Sequence, residues 1–221
     1  MPPIVRISGP VGGSGPPPPF AATLVGLAPT PLEIGADLVN PTFNAFYAPG
    51  APTTADLTDS DGFPLQNVVA SINPITRPNT YTHNPIGATA VFTLTADNGG
   101  PVSVSNVTYT WLPRVFFGLS LNPGPFTEAE IEALAGSALA SVYQRVFTVA
   151  PVAQYVVYAF PAAFGNPGLL DWQIGPFPGG FIQAADVLVT ANTPGAPANL
   201  YHVWRSFNLL TGTPNVTVTL S

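Results

Sequence analysis

The sequence has no cysteine, no lysine and only two histidines, and its charge rests on five arginines and eleven carboxylates in 221 residues. Without cysteine there is no disulfide, no thiol nucleophile and no cysteine-ligated metal, and the redox compartment stays open. Without lysine, and at a net charge of −6, the chain lacks the basic side chains that carry affinity for phosphate backbones. No nucleic-acid partner is expected. No Gly-x-Ser-x-Gly elbow occurs, and the glycine-rich run Gly9–Gly15 lacks the Lys-Ser/Thr of a phosphate loop. No cofactor is expected. Met1-Pro2-Pro3-Ile4 has no basic start followed by an apolar stretch, so a cleaved secretory signal is not expected. Val146 to Leu170 carries no charge, yet Pro151, Pro161 and Pro167 among Val, Tyr and Phe suit two buried strands with a turn. A membrane span is not expected there.

The scarcity of charge is informative in itself. A free soluble domain usually covers about 25–35% of its surface with charges of both signs; here charged residues make up 7% of the chain. Thr, Asn, Ser and Pro must cover the rest, or neighbouring proteins must. The second option reads the chain as one part of a large assembly.

What is present points to a folded, β-rich protein. The 28 prolines and 21 glycines alone would suit disorder, but 46% apolar residues with 14 Phe, 7 Tyr and 3 Trp would not. Residues 1–19 read as an extended Pro/Gly-rich arm, either a disordered terminus or a tether ordered against a neighbouring subunit. Residues 20–112 show short strands divided by turns. Phe92 and Leu94 alternate with Thr93 and Thr95, Asp97-Asn98-Gly99-Gly100 supplies a hairpin reversal, and Val107, Tyr109 and Trp111 alternate with Asn106, Thr108 and Thr110. Thr42–Tyr47 reads as another strand.

Residues 113–221 add strands at Val115–Gly118, Arg145–Val149, Tyr155–Phe160, Val187–Thr190, Tyr201–Phe207 and Val216–Leu220. One helix is predicted over about 127–139, opened by a Thr127/Glu130 capping box and striped by Ile131, Leu134 and Ala138. The expected fold is all-β: two tandem β-sandwich units (Ig-like or jelly-roll-like), the second with one short inserted helix.

Catalytic groupings are sparse. His202 sits in a strand beside Trp204, and His83 sits in a loop. Asp56, Asp59 and Asp61, just before Gly62, form a weak calcium candidate whose spacing departs from the EF-hand loop; turn capping is the plainer reading. Asp171 and Asp186 are the acids a hydrolase reading would use. Trp111, Trp172 and Trp204, with Tyr155, Tyr158 and Tyr201, could form a sugar-stacking platform, with Trp172 in an apparent loop as its best candidate. Arg114, Arg145 and Arg205 are rare charges inside strands. At least one is expected to meet a carboxylate at a buried or interfacial site, because unpaired burial is costly.

The order of motifs in the second half resembles structural proteins of tailed bacteriophages: Arg114-Val-Phe-Phe-Gly118, then the acidic Thr127-Glu-Ala-Glu-Ile-Glu-Ala-Leu134 segment, Tyr155-Val-Val-Tyr-Ala-Phe-Pro161, Pro178-Gly-Gly-Phe181, and Tyr201-His-Val-Trp-Arg-Ser-Phe-Asn-Leu-Leu-Thr-Gly212. Ala55–Gly62 and Phe92–Asp97 leading to Tyr109-Thr-Trp111 look like the Ig-like unit that precedes such modules. The resemblance implies a non-enzymatic virion protein of a tail, baseplate or fibre, or a capsid decoration protein. Its partners would be copies of itself, a trimer being one form, and other virion proteins. The alternative is a carbohydrate-binding module that recognises a host glycan.

Overall fold

Alternating apolar and polar residues build strands wherever one face can be buried, and the first half of the chain follows that rule closely. The computed structural model describes residues 18–69, 73–168, 171–190 and 198–218. The predicted arm lies outside the described residues except for Pro18 and Pro19, both exposed. A five-stranded sheet runs in the order Leu32–Glu33, Ser103–Leu112, Thr89–Asp97, Thr54–Asp59 and Gln66–Asn67. The predicted hairpin is its centre: Ser103 pairs with Ala96 antiparallel, and Gly99 turns at a φ of 93°. Phe92, Leu94, Tyr109 and Trp111 are all buried on one face, as the period of two requires.

Opposite lies a three-stranded sheet of Ala21–Gly26, Thr42–Ala48 and Ile75–Thr76. Its Phe43 ring stands 4.8 Å from Phe92 and 6.4 Å from Tyr109. Two serines close the side between the sheets. The Ser103 and Ser105 hydroxyls accept the backbone N–H groups of Ala22 and Leu24 at 2.8 and 2.9 Å. Those groups would otherwise form an open ladder edge.

The second half is layered around one strand. Val152–Pro161 lies in a seven-stranded sheet between Arg114–Ser120 and Ala198–Ser206, with Gly136–Leu139 and Phe181–Gln183 at the ends of the path. Its residues 156 to 161 are buried without interruption. Val156, Tyr158 and Phe160 enter one core with Phe147, Trp172, Phe181, Trp204 and Val216. Val157 and Ala159 enter another with Phe116, Ile131, Leu134 and Val203. Burial on both faces explains an apolar run that does not alternate. The first of these cores draws on a four-stranded sheet ordered Arg145–Thr148, Asn215–Val218, Trp172–Ile174, Phe177–Pro178. The second is covered by the helix. The first half holds its own core, built from residues between Ala22 and Trp111. Leu220, expected in the last strand, lies outside the described residues.

The helix is shorter than the sequence pattern predicts. Its start matches: Thr127 caps Glu128–Glu132 with the full capping box. The Thr127 and Thr190 backbone N–H groups hold the Glu130 and Glu128 carboxyls, respectively, below the usual carboxylate range. The predicted extension to 139 is replaced by the strand Gly136–Leu139, which pairs with Arg114–Phe117 and places Ala138 opposite Val115. Close packing is the reason. A Cβ on Gly136 would fall 2.2 Å from the Phe117 ring, so only glycine lets the chain lie flat there. Gly136→Val should therefore destabilise the fold by about 1–3 kcal/mol or more through overpacking, read as a lower urea midpoint.

Candidate functional site

Burying a charge is tolerable only when it is paired and hydrogen-bonded, and the most buried ion pair here involves a residue that sequence reasoning missed. Arg77 and Asp59 have side chains 2% and 0% exposed, with Nη2 to Oδ2 at 2.5 Å. The Arg77 Nε donates to the same oxygen at 3.0 Å, as does the Tyr81 hydroxyl. The other Asp59 oxygen accepts the N–H groups of Asp61 and Phe63 at 3.1 and 3.2 Å. Burial pushes the Asp59 carboxyl up, but the bonds from Arg77, Phe63 and Tyr81 outweigh it and hold the group below its ordinary value. Burial also pushes the Tyr81 phenol up to about 12.

The three aspartates of the calcium candidate are each engaged separately. Asp56 belongs to the strand Thr54–Asp59 and accepts from Asn67 at 3.2 Å; Asp59 is taken by Arg77; Asp61 meets His83 Nε2 at 3.1 Å. Among the described residues no three His, Asp or Glu side chains form a metal-holding group. Asp59 instead ties its own turn, capping the backbone up to Phe63. The hydrolase acids are likewise separately engaged. Asp171 accepts the Gly168 N–H at 2.6 Å, and Asp186 meets His202 Nδ1 at 2.9 Å within a network that includes Gln183 and Asn166.

The three singled-out strand arginines have different fates. Arg114 meets the expected carboxylate: its Nη2 and Nε reach the two oxygens of Glu33 at 2.6 and 3.2 Å, and its Nη1 donates to Ser137 at 3.1 Å. Glu33 belongs to the strand Leu32–Glu33, which pairs with Trp111 and Leu112, so the ion pair joins the two halves across Pro113. Tyr201 donates to the Arg114 carbonyl at 2.6 Å and braces the same junction. Arg145 lies 4.7 Å over the Phe117 ring, with its Nε enclosed and unpartnered. Arg205 lies 4.7 Å over Tyr155 and donates to the carbonyls of Pro123, Ser206 and Phe207.

Trp172 is not the exposed loop residue that sequence suggested. It begins the strand Trp172–Ile174 and is fully buried, stacked 4.3 Å from Phe181 and 5.1 Å from Trp204. Trp111 and Trp204 are buried as well. The apolar rings of the two sheets demand each other, and the three tryptophans that could have formed a sugar platform are core residues, with Tyr155 half-buried.

The outside carries the opposite composition. Among the described residues only four charged residues are exposed, Asp37, Asp61, Glu132 and Asp186, and no arginine is. Sixteen large apolar residues among the described ones are exposed. Some are grouped: Leu188 and Leu200 stand directly opposite across two strands at 62% and 46% exposure. Val25 and Phe46 share the outward face of the pair Ala21–Gly26 and Thr42–Ala48. A groove of about 410 Å³ runs between Phe117–Leu119, the segment Ala133–Gly136 and Thr148–Ala150, and no charged residue lines it.

No protein-family model, no curated protein and no solved structure matches this chain.

The buried pair makes a signed prediction. Because the folded Asp59 value is depressed, its stabilisation is complete above the unfolded value near pH 3.9 and is lost as pH falls through the folded value. Asp59→Asn should cost about 3–5 kcal/mol at pH 7 by leaving Arg77 unpaired. It should also converge with the parent chain at low pH, as followed by urea midpoints across pH. At the junction, a double-mutant cycle of Glu33→Gln and Arg114→Met should give a coupling of about 0.5–3 kcal/mol in the same measurement.

Proposed function

We infer that this chain is a non-enzymatic structural subunit that bonds to copies of itself and to other proteins of a large particle. One observation carries the reading: sixteen exposed large apolar residues against four exposed charged ones among the described residues. A monomer in free solution seldom presents such a surface, whereas the core of a protein interface is depleted of charge and rich in apolar and aromatic groups. Sheet edges favour the same reading. Gly136–Leu139 and Arg145–Thr148 each have one neighbouring strand among the described residues, which leaves an edge for strand addition.

The order of motifs from Arg114 to Gly212 resembles tailed-bacteriophage structural proteins, and it is this that specifies the particle as a virion. The chain would serve in a tail, baseplate or fibre, or as a capsid decoration protein. On this reading residues 20–112 form an Ig-like sandwich and residues 113–221 a second sandwich carrying the helix. Each contributes an outward face to repeated contacts in a symmetric oligomer. The buried tryptophans weigh against the glycan-binding alternative, which requires an exposed aromatic row.

Sedimentation velocity over a range of concentrations tests the reading. The full chain should form discrete oligomers at micromolar concentration, and substituting Leu188→Asp with Leu200→Asp should shift the distribution toward monomer. A monomer at every concentration would contradict it.

A further inference from the structure

The groove beside Phe117 has a particular chemistry. Its walls are Phe117, Leu119, Val149 and the small residues Ala133, Ala135 and Ala150, with the Thr148 hydroxyl as its one side-chain polar group. A small-molecule site normally adds several placed polar groups that fix the ligand's orientation; this lining does not. Two sheet edges border it. Gly136 opens the edge strand Gly136–Leu139, and Thr148 closes the edge strand Arg145–Thr148. An apolar trough flanked by open strand edges suits an extended polypeptide, whose backbone finds partners on an edge while alternate side chains fill the trough.

Resting on the assembly reading above, we propose that the groove receives the N-terminal segment, residues 1–17, of a second copy of this chain. Three facts favour that occupant. The segment reads Met-Pro-Pro-Ile-Val-Arg-Ile-Ser followed by glycine and proline, so its run Ile4–Ile7 supplies β-forming apolar residues and its only charge is Arg6. Its charge also suits the site, because the groove has no lining cation and Glu132 is exposed next to Ala133 on its rim.

The third fact is where the segment departs. Pro18 and Pro19 are exposed, and Ala22 is held by Ser103, at the start of the ten-residue strand Ser103–Leu112 whose far end leads to Arg114. The departure point is therefore roughly 30 Å from the junction at about 3.3 Å per strand residue, and the groove lies beyond that junction. Seventeen residues reach at most about 60 Å when fully extended. Reaching its own groove would use most of that length to run back along the first half, whereas a neighbour's groove can be met directly.

Complementation between full-length variants tests this. Ile4→Asp/Ile7→Asp spoils the segment and spares the groove; Ala135→Trp, at an exposed alanine, fills the groove and spares the segment. Circular dichroism and urea midpoints check that both remain folded. Each variant alone should self-associate about tenfold or more weakly than the parent chain, because the spoiled contact now buries a carboxylate or meets a blocked trough. An equimolar mixture should recover a heterodimer in sedimentation velocity, since the intact segment of one variant meets the intact groove of the other.

A labelled peptide of residues 1–17 should bind the segment variant and fail to bind Ala135→Trp. If both variants associate like the parent, if mixing restores nothing, or if the peptide binds both chains equally, this inference falls while the assembly reading stands. If the parent chain is monomeric throughout, the assembly reading itself falls.

Discussion

Charge in this molecule is spent on holding it together, and the character of its surface follows from that. Arg77 is locked to Asp59 in the first half, Arg114 to Glu33 across the junction, and Arg205 to three carbonyls beside Tyr155. With so few ionised groups in the sequence, little remains to keep the exterior apart from other proteins. An exterior of threonine, proline and exposed Val, Leu and Phe resists association weakly, because burying it costs little desolvation. The same economy that secures the interior leaves the outside poor in charge and rich in exposed apolar side chains.

The junction shows how the two halves act as one support. The strand that ends at Leu112 continues after Pro113 into Arg114–Ser120, so a single length of chain crosses from the five-stranded to the seven-stranded sheet. A flexible crossing would let the halves turn independently. Here Glu33 grips Arg114 from one side and Tyr201 grips its carbonyl from the other. Outward patches on both halves are thereby held in a fixed relation, which a symmetric assembly requires of its contacts.

Much of the fold was legible where local chemistry and burial agree. The hairpin from Thr89 to Leu112 has both a period of two and an Asn-Gly reversal, and both survive in the structure. The capping box at Thr127 set the helix start for the same reason. The helix end was not legible, because it depends on Phe117 lying against Gly136, a contact between segments about twenty residues apart that periodicity does not register. Of the acids that read as turn caps, Asp59 does cap the turn up to Phe63, whereas Asp56 stands in the strand Thr54–Asp59, whose Ala55 and Leu57 face the core. Trp172 misled because prolines and glycines flank it, while its burial is decided by stacking on Phe181, past the turn nine residues on, and on Trp204, thirty-two residues on. Arg77 carried no local signal at all; its partner Asp59 lies eighteen residues away, at the end of the strand Thr54–Asp59.

The central claim is that neighbours cover the apolar exterior. The most direct measurement is a cryo-electron microscopy reconstruction of the assembled protein in which side chains are resolved. The account predicts that Phe46, Leu188 and Leu200, all exposed in the isolated chain, lie within van der Waals contact of an adjacent subunit. A reconstruction in which these residues face solvent, with contacts made instead through the few exposed carboxylates, would contradict it.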